Sequence, residues 1–147
     1  MRLIREQGIF NQIYRLLINR KKKEEKNLQF YLDLANRNPK DANHRLKLAE
    51  IYHKNGEEKK ALSESLLAAE NFCSSGHDRK GIAIYKKILK KQPYLDDVRL
   101  KMAYIYKEIG FLEEAFSQFL KLYEYYIHKG LKYKAGLNPL SWTDVLE

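Results

Sequence analysis

The sequence predicts an all-α fold, an array of antiparallel helical hairpins, from three observations. Val and Thr together occur three times in 147 residues (Val98, Thr143, Val145), while Leu, Ala, Lys and Glu abound. The β-branched residues that a sheet draws on are therefore scarce. Apolar residues recur at helical spacing and are punctuated by glycine and proline. Finally, the chain repeats itself with a period of 54 residues.

The repeat is read directly from paired positions. The run LQFYLDLANRNP from Leu28 matches IAIYKKILKKQP from Ile82, so that Tyr31 pairs with Tyr85, Leu34 with Ile88 and Pro39 with Pro93. Beyond the prolines, Leu46, Leu48, Ala49, Ile51 and Tyr52 pair with Leu100, Met102, Ala103, Ile105 and Tyr106. Gly56, Ala61, Leu66, Phe72 and Gly76 then pair with Gly110, Ala115, Leu120, Tyr126 and Gly130.

Seven helices follow from this pattern, at about 9–20, 24–37, 42–54, 58–75, 78–91, 96–109 and 112–129. The first carries a broad apolar face (Ile9, Phe10, Ile13, Tyr14, Leu16, Leu17, Ile18) and ends in the basic run Arg20-Lys21-Lys22-Lys23. The second ends before Pro39 and the fifth before Pro93, where a missing N–H does no harm. Asp41 and Asp96 are expected as N-caps of the third and sixth, because a short carboxylate accepts bonds from orphan backbone N–H groups. Gly56, Gly110 and Gly130 follow periodic runs, where a helix exit needs positive φ. In 78–91 an apolar arc from Ile82 to Leu89 faces away from Arg79, Lys80, Lys86, Lys87, Lys90 and Lys91. In 112–127, nine residues including Leu112, Ala115, Phe116, Phe119, Leu120 and Ile127 cover about half the helix circumference. That helix is expected to touch neighbours on two sides. A final short helix or tail, with Ser141 and Asp144 as a candidate cap, is assigned to 137–147. Short loops make sequential helices antiparallel neighbours.

Composition narrows the function. The chain is 44% hydrophobic and 32% charged, with seven Gly and three Pro, which is globular. One cysteine, Cys73, rules out an internal disulfide framework and a Cys-based zinc cluster. There is no apolar run of the roughly 18 residues a spanning helix needs, and no small-residue cleavage site follows Ile9–Ile18. The expected compartment is the cytoplasm. Net charge is +9, carried by the first two-thirds: residues 1–41 hold ten Lys/Arg against five Asp/Glu, and 96–147 hold seven against eight. Such asymmetry marks either a solvated basic surface or an anion-binding one.

The spacing resembles the tetratricopeptide repeat, a 34-residue helix-turn-helix unit. Leu48, Ala49, Tyr52, Gly56, Ala61 and Ala68 fall on its large-small-aromatic-glycine-small-small pattern, and Met102, Ala103, Tyr106, Gly110, Ala115 and Phe119 do so again. A weaker unit is Ala69, Phe72, Gly76, Tyr85 and Pro93, with Gly81 in place of the usual alanine. Residues 24–136 carry the resemblance, and residues 1–23 become a capping or docking helix. Arg45 and Arg99 depart from the pattern, standing where a large apolar residue usually begins the unit. The resemblance implies a right-handed α-solenoid whose inner face holds a partner peptide or helix. By the family's pattern that face includes Asn43, Leu46, Glu50, His53 and Lys54, then Asp97, Leu100, Tyr104, Lys107 and Glu108. Glu50 and Tyr104 stand where the family's carboxylate clamp wants asparagine, so that specialised role is not implied.

Catalytic chemistry is not in view. His44 and His53 are nine apart on one helix and point in different directions, and none of the four histidines recurs in the other repeat. Cys73 has no identifiable activating partner, and Ser74-Ser75-Gly76 belongs to a turn rather than a phosphate loop. Glu57-Glu58 and Glu113-Glu114 sit in first helical turns, which the helix dipole explains. The expectation is a non-enzymatic adaptor without metal or cofactor, binding a protein with acidic and apolar residues. Most of the eleven tyrosines are expected in the core. Three other partners compete. An anion would bind through Arg20–Lys23 and the Arg79–Lys91 arc, with no nucleic-acid motif to support that ligand. A membrane surface would take residues 9–23, and a second copy would take the 112–129 face.

Overall fold

The computed structural model describes residues 2–130, with side chains from residue 9 onward. Six helices run in order: α1 (Arg2–Arg37), α2 (Ala42–Lys54), α3 (Glu58–Ser74), α4 (Asp78–Lys91), α5 (Asp96–Glu108) and α6 (Leu112–His128). There is no strand among the described residues, and consecutive helices pack on one another as an all-α array. The segment 137–147, and the array beyond residue 130, lie outside the described residues.

Helix exits are built by one device used three times. Gly56, Gly76 and Gly110 have φ of +77°, +77° and +82°. In each case the glycine N–H bonds three residues back, and the next N–H bonds five back: Glu57 to Tyr52 O (2.8 Å), His77 to Phe72 O (2.8 Å), Phe111 to Tyr106 O (2.8 Å). This is the Schellman arrangement, which satisfies the last orphan carbonyls. Its usual side-chain contact is present too, with Tyr106 and Phe111 rings 6.3 Å apart.

Two expectations about helix ends are corrected. The helices expected at 9–20 and 24–37 are a single helix of 36 residues. Arg20–Lys23 interrupts the apolar stripe, but lysine and arginine are good helix formers and neither Gly nor Pro occurs there, so nothing stops the backbone. Asp41 caps α2 as expected, accepting from Asn43 N (2.8 Å) and His44 N (3.2 Å). Asp96 does not cap α5; the cap residue is Leu95, with no side-chain bond. Asp96 and Asp97 instead lie in the first helical turn, where the dipole favours them.

The described residues fall into two compact units that meet within α3, between Glu64 and Ser65. In the first, Ala35, Leu48, Tyr52 and Ala61 form a buried cluster, with Leu28, Tyr31 and Leu32 packed against it. In the second, Ala69, Phe72, Ile82, Tyr85, Met102, Ala103, Tyr106, Ala115, Phe119 and Leu122 are buried. Gly81 marks a close approach of α4 to α3. A Cβ there would collide with Cys73 Sγ and lie 2.9 Å from the Ala69 carbonyl oxygen, so alanine at this place would not fit.

The 54-residue repeat recurs as a bracket in each unit. Arg45 Nη1 donates to Glu64 Oε2 (3.1 Å), and its Nε makes a longer 3.5 Å bond to Pro39 O. Arg99, 54 residues on, donates to Gln118 Oε1 (3.2 Å) and to Pro93 O (2.9 Å). Each arginine ties the turn before its own helix to the helix after it. The two arginines that departed from the apolar pattern are thereby accounted for: a guanidinium reaches two acceptors that an apolar side chain would leave unmet.

Candidate partner-binding faces

α2 and α5 carry the expected binding residues, each on one side of its own helix. On α2, Asn43, Glu50, His53 and Lys54 are exposed and Leu46 is half-buried. On α5, Asp97, Tyr104, Lys107 and Glu108 are exposed and Leu100 is half-buried. The two leucines are thus neither core nor free; the buried residues of these helices include Leu48, Ala49 and Tyr52 on α2 and Met102, Ala103 and Tyr106 on α5.

The two faces differ in how their charges are engaged. On α2, Lys47 pairs with Glu50 (2.9 Å) and His53 Nδ1 lies 2.6 Å from Glu58. Glu50 holds the Lys47 ammonium above its ordinary range, first by hydrogen bonding and then by charge. Lys47 and Glu50 of α2 therefore answer one another, and His53 is answered by Glu58 of α3. On α5, Lys101 pairs with Glu70 of α3. Tyr104 is 51% exposed, and its ring meets Phe119 edge-on at 5.5 Å. That contact fixes the ring while leaving its other side bare.

An aromatic cluster was not visible in the sequence. Tyr94, 73% exposed, lies 5.9 Å from Tyr125, which meets Tyr126 at 5.6 Å. Lys129 stands over the Tyr125 ring at 4.8 Å. Tyr126 hydrogen-bonds Asp96, and burial, followed by that bond, pushes its phenol up to about 12. The period holds Lys40 and Asn71 where Tyr94 and Tyr125 stand, so repetition could not flag them. More generally, the expected tyrosine core is corrected. Of the ten described, Tyr52, Tyr85 and Tyr106 are buried, Tyr31, Tyr123, Tyr125 and Tyr126 are half-buried, and Tyr14, Tyr94 and Tyr104 are exposed. Tyrosine can bury its ring on one side and leave its hydroxyl and other face in water.

The basic residues lie where the helical spacing put them. Arg79, Lys80, Lys86, Lys87, Lys90 and Lys91 are all exposed on α4. Lys80 lies over Phe72 (5.4 Å) and Lys86 over Tyr106 (5.7 Å). Arg20, Lys21, Lys22 and Lys23 are exposed on α1, with Arg20 paired to Glu24 at 3.0 Å. The expectation that α6 contacts neighbours on two sides is corrected for the described residues. Ala115, Phe119 and Leu122 are buried, but Leu112, Phe116, Leu120 and Ile127 remain 40–45% exposed.

The Cys73 thiol, beside Gly81, is pushed up to about 11 by burial and then by nearby Asp78, Glu108 and Glu70. It stays protonated at neutral pH and is a poor nucleophile there. Among the described residues no group of three or more His, Cys, Asp or Glu could hold a metal ion. No helix there is long and apolar enough to cross a membrane. No family model matches the chain, and a search of curated proteins finds no match.

Proposed function

We propose that this chain is a tetratricopeptide-like interaction module, a non-enzymatic adaptor that holds a peptide or helix of another protein. The observation that carries the reading is Tyr104: an aromatic ring steadied by Phe119, half exposed, on a folded helix. Half-buried Leu100 and exposed Lys107 share its face. Tyrosine in such a setting supplies contact area at small entropy cost, and rigid aromatic anchors dominate interface energetics. A partner segment with apolar anchors and acidic residues complements this face, the apolar groups giving affinity and the charges orientation. Leu46 on α2 repeats the apolar position, although ion pairing within α2 leaves less charge to recruit a partner. Cytoplasmic residence fits this role.

A photo-crosslinking amino acid placed at 104 in the native cell tests the reading. A discrete protein adduct is expected, absent when the probe instead replaces Lys59, exposed on α3 and outside both candidate faces, and the same protein should lose binding to Tyr104→Ala. The melting temperature of Tyr104→Ala should stay within about 2 °C of the parent, as for other exposed positions. No discrete adduct at 104, or a partner indifferent to Tyr104→Ala, sinks the proposal.

A second reading, an anion-binding surface, is favoured by one observation: the exposed arc of α4 carries six cations and no acid. Nucleic-acid binding that persists at physiological salt and drops on Lys87→Glu and Lys90→Glu would support it. Binding confined to low salt would reduce the arc to a solvated face.

A further inference from the structure

Among the described residues, nothing covers the Ile9–Asn27 stretch of α1. Every residue from Ile9 to Asn27 is exposed, including seven large apolar side chains between Ile9 and Ile18 at 37–69%. At 100° per residue these seven sweep an arc of about 200°, on which Phe10 and Tyr14 stack at 6.5 Å. A helix gains most of its stability by burying such a face, and an apolar surface of this extent on a charged helix marks a contact site.

The charge pattern says what covers it. From Ile9 to Lys23 there are five cations (Arg15, Arg20, Lys21, Lys22, Lys23) and no Asp or Glu. Arg20 to Lys23, four consecutive residues, form a complete cationic ring at the end of the apolar arc. Arg20 is answered by Glu24 of its own helix at 3.0 Å, and a second copy laid alongside would bring five more cations to a stretch that holds no acid of its own. An anionic bilayer meets both demands at once: acyl chains for the apolar arc and headgroups for the ring. We propose that the Ile9–Lys23 stretch of α1 lies in the surface of an anionic membrane, apolar arc inward, with Arg20–Lys23 on the headgroups. The helix lies along the surface and does not cross it, in keeping with the lack of any spanning helix among the described residues. This is separate from the proposed partner face on α5 and stands or falls independently of it.

The full chain is mixed with phosphatidylcholine vesicles, with and without phosphatidylglycerol, at physiological salt, and binding is read by co-sedimentation. Partitioning to the anionic vesicles should be at least about tenfold stronger, consistent with several basic residues at the surface. Ile13→Glu with Leu17→Glu should lower it about tenfold or more. Both side chains are more than half exposed among the described residues, so the circular dichroism melt of the rest should not move. Lys86→Glu with Lys87→Glu on α4 should leave binding in place, which separates α1 from general basicity. No binding to anionic vesicles, or binding indifferent to the Ile13/Leu17 pair, overturns the proposal. So does a lipid-free dimer, seen by analytical ultracentrifugation, that the Ile13/Leu17 pair dissolves, because a second copy would then be the occupant.

Discussion

The two periods of the chain differ most in how they approach their second helix. Before α4, the sequence Ser75-Gly76-His77 turns the chain back, with Gly76 at φ +77°. One period earlier the same places hold Lys21-Lys22-Lys23, and α1 runs straight through them. Residues 65–74 consequently pack on α4, with Ala69 and Cys73 against Gly81, while the corresponding stretch of α1 stays bare. The ion pairs record the same difference. Lys101 reaches across to Glu70, whereas Lys47, whose equivalent acceptor place is Leu16, settles for Glu50 on its own helix. Hydrophobic content is comparable in the two stretches; one residue able to adopt positive φ separates a packed hairpin from a free helix.

The shared bracket gives the largest expected effect. Arg45→Ala would strip a cation from Glu64, whose side chain is 15% exposed. The loss should be roughly 2–3 kcal/mol, since the carboxylate left behind is charged and poorly hydrated. Arg99→Ala leaves only the neutral Gln118 amide and a carbonyl, and should cost about 1 kcal/mol. Urea denaturation of both variants checks the order. Equal losses would mean that the brackets act through packing of the arginine stem rather than through charge.

Next comes the crossing of α3 and α4. In a helix interior Gly→Ala is normally favourable by roughly 0.5–1 kcal/mol. Gly81→Ala should reverse that sign and cost about 1–3 kcal/mol, because the new methyl meets a backbone oxygen that cannot step aside. Asn27→Ala, at the same place in the earlier period and exposed, should be neutral or slightly stabilising by thermal melt. A smaller effect is expected at the turn. Gly76→Ala meets no atom within 4 Å, so its cost is conformational alone, about 1–2 kcal/mol. Lys22→Ala should change nothing measurable.

What could be read before the structure follows from these same residues. The repeat, the turn glycines and five helices from α2 to α6 were legible because backbone rules act locally: glycine exits, proline stops and period 3.6 need no tertiary context. The basic faces were legible for the same reason. The break expected near residue 21 was not real, because a gap in an apolar stripe was read as a gap in the helix, although lysine favours helix. Arg45 and Arg99 looked like departures from a packing pattern; their acceptors lie 19 residues along the chain and cannot be inferred from spacing alone. Tyr104 was placed on the same side of α5 as Leu100 and Lys107 by register. Its exposure, and the cluster around Tyr125, depend on which neighbours α5 and α6 bring together, and a single sequence does not carry that information.

Amide hydrogen exchange of the full chain without lipid tests the comparison most directly. The claim is that α3 is held by packing and that the first half of α1, lacking the turn, is not. Amides of 65–74 should therefore exchange through cooperative opening, and those of 9–20 by local fraying, at rates at least about a hundredfold faster. Equal protection of the two stretches would contradict the account.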